Sequence, residues 1–261
     1  MAKLLENILG GCARAAPKQW LVLMLLLLVA LLPAYLLHFT MPKEGWVLDF
    51  WWAVSFSASK YGLAWVGLLM VLVVQPSWKR IPLLLLPILL FIGGAAWMNE
   101  HLLKPAIAEP RPSIGYLADA ANGGVLKQGV QAFYRMPDKA SRSAYLEKHL
   151  EASSGLQMPE LLREHWVEET GYSFPSGHAF AASALAGWFM FMILCAGRRH
   201  WLLPVLWGWV VAVCYSRILL GVHRPEDVMA GTVEGMALVA VAVLASSGIL
   251  GWRKKQNQEP L

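Results

Sequence analysis

The chain has 261 residues, of which 57% are hydrophobic and only 15% charged, and its mean hydropathy is +0.49. Soluble domains carry about 25% charged residues, so the composition excludes a soluble globular protein and a disordered one. A net charge of +5 would suit a nucleic-acid-binding protein. The basic residues, however, gather in loops between apolar runs, so we expect no nucleic-acid partner. The three cysteines lack the spacing of a zinc site.

Six apolar runs have about the 20 residues that cross the hydrocarbon core of a bilayer. They lie at 20–39, 54–74, 81–98, 178–197, 201–220 and 228–252. Lys60 interrupts the second run, so the ends of that helix are the least defined. The first run is longer than the apolar part of a signal peptide, and we interpret it as an uncleaved anchor. The sequence therefore predicts an all-α integral membrane protein with six transmembrane helices.

Charge asymmetry predicts the orientation of these helices. Ten basic and two acidic residues lie in the segments that would share one side of the membrane, namely 1–19, 75–80, 198–200 and 253–261. Basic loops remain cytoplasmic, so we expect both termini in the cytoplasm and the polar insertion 99–177 on the opposite, outer side of the membrane.

The insertion divides the chain into three parts. We expect residues 1–98 to hold the N-terminal segment and helices one to three, residues 99–177 to form a small extracytoplasmic insertion, and residues 178–261 to hold helices four to six with a cytoplasmic tail. Within the insertion, amphipathic patterns near 142–153 and 159–168 predict two short helices.

Three polar clusters lie at the predicted outer ends of the helices. They run from Lys104 to Pro112, from Phe174 to His178 and from Ser216 to Asp227. In the second cluster, Ser176 and Gly177 begin a helix whose first backbone N–H groups point outward, which makes an anion-binding site. His178 falls in the first turn of that helix.

The third cluster adds a histidine and a carboxylate. His223 precedes a helix that Pro225 begins, and Asp227 falls in the first turn, where the helix dipole favours an ionised carboxylate. A hydrogen bond from His223 to Asp227 would fix the imidazole tautomer and raise its basicity.

These groups together predict phosphoryl transfer. Lys104, Arg111 and Arg217 would neutralise phosphate oxygens. The histidine held by Asp227 would attack phosphorus, and the other histidine would protonate the leaving oxygen. Because no carboxylate cluster suits Mg²⁺, we expect no metal requirement and no cofactor.

The three clusters also resemble the signature motifs of the type 2 phosphatidic acid phosphatase superfamily. The twelve signature positions are present as Lys104-x6-Arg111-Pro112, Pro175-Ser176-Gly177-His178 and Ser216-Arg217-x3-Gly221-x-His223-x3-Asp227. Six spans, a long insertion and the string from Arg163 to Gly171 further resemble a bacterial subfamily that acts on phosphatidylglycerol phosphate.

The resemblance implies a metal-independent lipid phosphatase with a phosphohistidine intermediate. His223 would be the nucleophile, Asp227 would orient it, and His178 would be the general acid. The phosphate would be held by Lys104, Arg111, Ser176, Gly177 and Arg217. Similar enzymes act on phosphatidylglycerol phosphate, undecaprenyl pyrophosphate, phosphatidic acid, lysophosphatidic acid and diacylglycerol pyrophosphate, which leaves phospholipid synthesis and carrier-lipid recycling both open.

Other polar residues carry less weight. Glu234 is a functional candidate because it is an acid inside a predicted span. Four residues of the insertion are expected to be surface residues or supports for the cations: His101, Glu109, His165 and Glu169.

Three other classes of protein fit part of the sequence. A transporter that binds a phosphate or a phospholipid without hydrolysis would need charges along a path and paired repeats, which the sequence lacks. A site that binds vanadate, as in haloperoxidases, is known from soluble proteins, so the six apolar runs argue against this class. A purely structural membrane protein would not explain the three polar clusters.

Overall fold

The structure is a computed structural model that describes residues 16–74, 81–122, 124–153, 156–197 and 199–256. Every regular element in these ranges is a helix. The α-helices, in chain order, are α1 (Ala16–Leu31), α2 (Trp46–Phe56), α3 (Lys60–Val74), α4 (Ile81–Met98), α5 (Lys104–Ile107), α6 (Pro112–Ala118), α7 (Gly129–Tyr134), α8 (Lys139–Glu151), α9 (Glu160–Glu168), α10 (Gly177–Ala196), α11 (Leu202–Leu219) and α12 (Pro225–Gln256). A 3-10 turn extends α1 to Leu36, and a π-helix (Asn99–Leu103) joins α4 to α5.

Three of the described helices are long and apolar enough to cross a membrane: α1 with its 3-10 extension, α10 and α11. The pair α2 and α3 would make a fourth span, but it is bent by 76° at the break before Lys60. The predicted second span, 54–74, therefore does not follow one straight helix. The third and sixth predicted spans are helical, as α4 and α12, and the total of six spans stays a prediction.

Helix α10 occupies the centre of the helical bundle. It is buried along nearly its whole length and packs against α12 through small residues. A Cβ atom at Gly235 would lie 2.2 Å from the Ser183 Oγ atom, and one at Gly231 would lie 2.3 Å from the Ser176 carbonyl oxygen. Glycines at this four-residue spacing let two helix backbones approach closely. The approach places the start of α12, with Asp227, beside the start of α10.

Helices α6 to α9 form a cap with a hydrophobic core of its own. Phe133, Leu146, Leu162 and Trp166 are buried in this core together with Leu220 and Val222 from the loop between α11 and α12. The Trp166 indole N–H donates to the Leu220 carbonyl oxygen at 2.7 Å. The cap therefore fixes the backbone on both sides of Gly221. Both helices predicted in the insertion are present, as α8 and α9.

Candidate active site

The loop between α11 and α12 carries His223, which is 3% exposed. Its backbone N–H donates to the Arg217 carbonyl oxygen at 3.1 Å. Gly221 supports this turn in the left-handed region, at φ +71°, where glycine is favoured because it has no Cβ atom. The hydrogen bond to Arg217 therefore closes a turn that fixes the backbone of His223.

Two groups contact the Nδ1 side of His223. The Ser173 Oγ atom lies 3.3 Å from Nδ1, and the Asp227 Oδ2 atom lies 3.5 Å from it. Ser173 also donates to Asp227 Oδ2 at 2.5 Å. Since 3.5 Å is long for a hydrogen bond, Ser173 links the histidine to the carboxylate more closely than their direct contact does. Asp227 lies next to His223, as expected, but the contact of 3.5 Å is longer than the predicted hydrogen bond, and Ser173 was not among the predicted residues.

The Nε2 side of His223 faces a cation. The Arg111 Nη1 atom lies 3.4 Å from Nε2 and 3.2 Å from the Val222 carbonyl oxygen. The Nε atom of Arg111 donates to the Gly171 carbonyl oxygen at 3.0 Å. Burial, with added repulsion from Arg111 and Arg217, lowers the pKa of His223 well below its usual range. The imidazole is therefore neutral near pH 7.

Glu169 joins two of the predicted phosphate-binding cations. Its carboxylate lies 2.8 Å from Arg111 Nη2 and 2.5 Å from Arg217 Nη2. Burial would raise the pKa of Glu169, but Arg111 and Arg217 outweigh it and hold that pKa well below its usual range. The ionised carboxylate therefore holds the two guanidinium groups next to each other.

Arg217 is fully buried and has two further neighbours. Its Nη1 atom donates to Ser55 Oγ at 2.6 Å and lies 3.3 Å from His165 Nε2. Burial and the Arg217 cation lower the pKa of His165 to about 3, so the ring is neutral and accepts from the guanidinium. The sequence suggested His165 and Glu169 as supports for cations, and both contact Arg217.

The second cluster forms the start of α10. Ser176 caps the helix, with its Oγ atom 3.5 Å from the Ala179 N–H nitrogen, and its own N–H donates to the Asp227 carbonyl oxygen at 2.9 Å. Gly177 and His178 follow in the first turn, half-buried. His178 is close enough to Glu169 to help lower the pKa of that carboxyl.

Lys104 lies at the edge of this group and is 7% exposed. Its Nζ atom pairs with Glu100 at 2.8 Å. Burial and the nearby Arg111 charge lower the pKa of Lys104. The ammonium group is therefore close enough to Arg111 for the two charges to interact. Of the predicted phosphate-binding residues, Arg111 and Arg217 are therefore bridged by one carboxylate, whereas Lys104 has a different partner.

Glu234 is not part of this cluster. Asn99 Nδ2 lies 2.7 and 2.8 Å from the two Glu234 carboxylate oxygens, which joins α12 to the π-helix before Lys104. The remaining two insertion residues are peripheral: Glu109 pairs with Arg224, and His101 is exposed and stacks on Trp97.

The three motifs therefore converge on one buried imidazole with neighbouring cations. The family model of the PAP2 superfamily matches residues 82–249, and the chain belongs to that superfamily. This confirms the family to which the motifs pointed.

Among its relatives, the chain is similar to phosphatidylglycerophosphatase B of Escherichia coli (strain K12), with 34% identity over 57% of this chain and 55% of that one. The chain thus matches about half the length of that relative. An undecaprenyl-diphosphatase of Sulfolobus acidocaldarius is 37% identical over 30% of this chain and 35% of that one. The crystal structure of a transmembrane PAP2 type phosphatidylglycerolphosphate phosphatase from Bacillus subtilis aligns with 90% of this chain and 98% of that one, at 17% identity and a TM-score of 0.49.

Proposed function

We propose that this protein is a membrane lipid phosphatase that removes the terminal phosphate from phosphatidylglycerol phosphate, from undecaprenyl pyrophosphate or from both. The observation that carries the proposal is the environment of His223. Its Nδ1 side is held by Ser173 and Asp227, while its Nε2 atom faces the Arg111 guanidinium at 3.4 Å. A neutral imidazole so arranged has its nucleophilic lone pair directed at the place where a phosphate would bind to the cation.

The cations support phosphate binding in the same place. Arg111 and Arg217 converge on one carboxylate, and a phosphate offers the same bidentate geometry with more charge. Within the described part of the chain, the buried Nε atom of Arg217 has no hydrogen-bond partner. A phosphate oxygen would satisfy it. The backbone N–H groups at the start of α10 would add donors.

In the first step, the Nε2 lone pair of His223 attacks phosphorus and the bond from phosphorus to the leaving oxygen breaks. His178 gives its proton to that oxygen, and Asp227 with Ser173 stabilises the proton that remains on Nδ1. In the second step, water gives a proton to His178 and attacks phosphorus. The phosphorus–nitrogen bond breaks, its electron pair returns to Nε2, and inorganic phosphate leaves.

The proposal extends to the membrane arrangement. Six spans with both termini in the cytoplasm would place His223 and His178 at the periplasmic surface of the inner membrane. A lipid phosphate could reach that site while its acyl or prenyl chains remain in the bilayer.

Trapping of the phosphoenzyme tests the mechanism. Detergent-purified protein in EDTA would receive substrate labelled with ³²P in the terminal phosphate and be quenched in alkali, in which phosphohistidine survives. We expect label on the wild type, label that forms and decays more slowly on His178→Ala, and none on His223→Ala. His200→Ala, an exposed histidine at the other end of α10 and α11, serves as the control. Label on His223→Ala would contradict the proposed nucleophile.

A further inference from the structure

A polar cavity of about 290 Å³ lies beside the candidate active site. It is outside the predicted spans, between the end of the π-helix region and the cap. Its polar lining comes from Glu100, Lys104, Tyr134, Arg142, Gly171 and Tyr172. None of the motif residues other than Lys104 lines it, so the phosphoryl-transfer chemistry does not explain the cavity.

Arg142 is the unusual member of this lining. The residue is 8% exposed, and its guanidinium lies over the rings of Tyr134 and Tyr172, 5.5 and 5.6 Å from their centroids. The two rings stack on each other at 4.9 Å. Helix α8, capped by the Asp138 side chain at Ser141 N–H, therefore delivers Arg142 to a rigid aromatic support.

The charge of Arg142 is less well compensated than that of the other buried cations. Arg111 and Arg217 share Glu169, and Lys104 pairs with Glu100. Among the residues that the structure describes, no carboxylate forms an ion pair with Arg142, and its buried Nε atom has no hydrogen-bond partner. Burying a guanidinium donor without an acceptor costs free energy. A cation that lines a polar cavity in this state is suited to an anionic ligand.

One wall of the cavity is shared with the active site. The Tyr134 hydroxyl accepts from the Arg111 backbone N–H at 3.0 Å and donates to the Gly171 carbonyl oxygen at 3.3 Å. The same carbonyl accepts from Arg111 Nε. Tyr134 and Gly171, which position Arg111 against His223, therefore also line the cavity, so the cavity lies next to the site of the Arg111 guanidinium.

We propose that this cavity is a second anion-binding subsite, in which Arg142, with Lys104, binds a second phosphate group of the lipid head group while the terminal phosphate lies at His223. This inference rests on the proposed function and adds that head groups with two phosphate groups are preferred to head groups with one. Glu100 keeps Lys104 neutralised in the absence of ligand, so Arg142 is the main determinant of the preference. Planar guanidinium geometry suits bidentate binding of a phosphate.

Substitution of Arg142 tests this preference. We expect Arg142→Met to lower kcat/KM for phosphatidylglycerol phosphate about tenfold more than it lowers kcat/KM for phosphatidic acid, which has one phosphate, because a charge-assisted contact is lost only with the former. Arg142→Lys keeps the positive charge but not the planar guanidinium group. Its kcat/KM for phosphatidylglycerol phosphate should therefore lie between that of the wild type and that of Arg142→Met. Lys148→Met, which removes one charge from the exposed side of the same helix, is the matched control.

A competition experiment uses the wild-type protein and does not depend on how the variants fold. With phosphatidic acid as the reporter substrate, glycerol 1,3-bisphosphate should inhibit at least ten times more strongly than glycerol 1-phosphate. Undecaprenyl pyrophosphate, whose two phosphates are directly joined, is assayed beside phosphatidylglycerol phosphate to compare the two spacings.

Three results would overturn the subsite. The first is an equal loss of activity by Arg142→Met on substrates with one and two phosphates. The second is equal inhibition by the two glycerol phosphates. The third is an effect of Arg142→Met only on inhibition by inorganic phosphate, which would make the cavity a site for free phosphate. If none of the lipid phosphates were hydrolysed by folded wild-type protein, the proposed function itself would be wrong.

Discussion

The Ser173 Oγ atom lies 2.5 Å from the Asp227 Oδ2 atom and 3.3 Å from the Nδ1 atom of His223. Asp227 itself is 3.5 Å from that nitrogen. The serine hydroxyl therefore completes the path by which the carboxylate orients the histidine. Ser173 reaches this position because its backbone N–H donates to the Glu109 carbonyl oxygen at 2.8 Å, which joins the segment before α10 to the segment before α6.

Loss of the hydroxyl should weaken this orientation. We expect Ser173→Ala to lower kcat about 10- to 100-fold, the effect of losing a hydrogen bond to a charged group, with a smaller change in KM. Because Ser173 and Asp227 act on the same nitrogen, the double variant with Asp227→Asn should lose less than the product of the two single losses. Strictly multiplicative losses would show that the two residues act independently.

Glu169 competes with phosphate for two arginines. Glu169→Gln should lower the inhibition constant of inorganic phosphate, because Arg111 and Arg217 lose their competing carboxylate. It should also destabilise the protein by about 3 kcal/mol, since two buried cations then lack a carboxylate to balance their charge. Thermal unfolding in detergent and phosphate inhibition measure the two effects. Glu168→Gln, an exposed neighbour in the same turn, is the control, and equal phosphate inhibition in both variants would contradict the competition.

Acid should destabilise the protein through His165. Its pKa is about 3 in the folded protein, against about 6.5 in an unfolded chain. The unfolded state therefore binds more protons between these values, and stability falls as pH drops below about 6.5, by at most about 1.4 kcal/mol per pH unit for this group. His223 shifts in the same direction.

The contribution of His165 can be separated by substitution. His165→Gln retains an acceptor for the Arg217 guanidinium but does not titrate, so its unfolding temperature should fall less steeply with acid than that of the wild type. His149→Gln controls for the same change elsewhere in the cap. Identical pH slopes for wild type and His165→Gln would show that His165 does not carry this dependence.

Gly221 should tolerate no side chain. Its φ is +71°, and a Cβ atom there would lie 2.5 Å from the Phe39 ring. Alanine in the left-handed conformation costs roughly 1–2 kcal/mol. We therefore expect Gly221→Ala to destabilise the turn that carries His223 by at least that amount and to lower kcat. Adding Phe39→Ala to Gly221→Ala should recover only the part of the lost stability that comes from the clash with the Phe39 ring. Gly208→Ala is the control. It lies at an open position within α11 and should leave kcat unchanged.

The orientation in the membrane can be tested by cysteine labelling. Ala121→Cys, at an exposed position in the insertion, should react with a membrane-impermeant maleimide on cells whose outer membrane is opened. His200→Cys, in the exposed turn between α10 and α11, should react only after the inner membrane is permeabilised. The reverse pattern would invert the proposed topology.

Several features of this protein were predictable from the sequence because they depend on local chemistry. The apolar runs predicted helices, and α4, α10 and α11 agree with the predicted limits to within one or two residues. The two amphipathic patterns in the insertion correspond to α8 and α9. The three motifs identified the superfamily, and every motif residue could be named because the spacing in each cluster is short.

Only the tertiary structure revealed how these motifs are supported. Ser173 was not predicted, and Glu169 was predicted only as a surface residue or a support for the cations. The role of each depends on a contact with a residue about 50 positions away, Asp227 for Ser173 and Arg217 for Glu169. The break before Lys60 and the cavity at Arg142 likewise depend on how separate helices pack. Hydrophobic periodicity and motif spacing report the environment along one segment, whereas these contacts arise from the approach of distant segments, made close here by Gly231 and Gly235 in α12 and by the core of the cap.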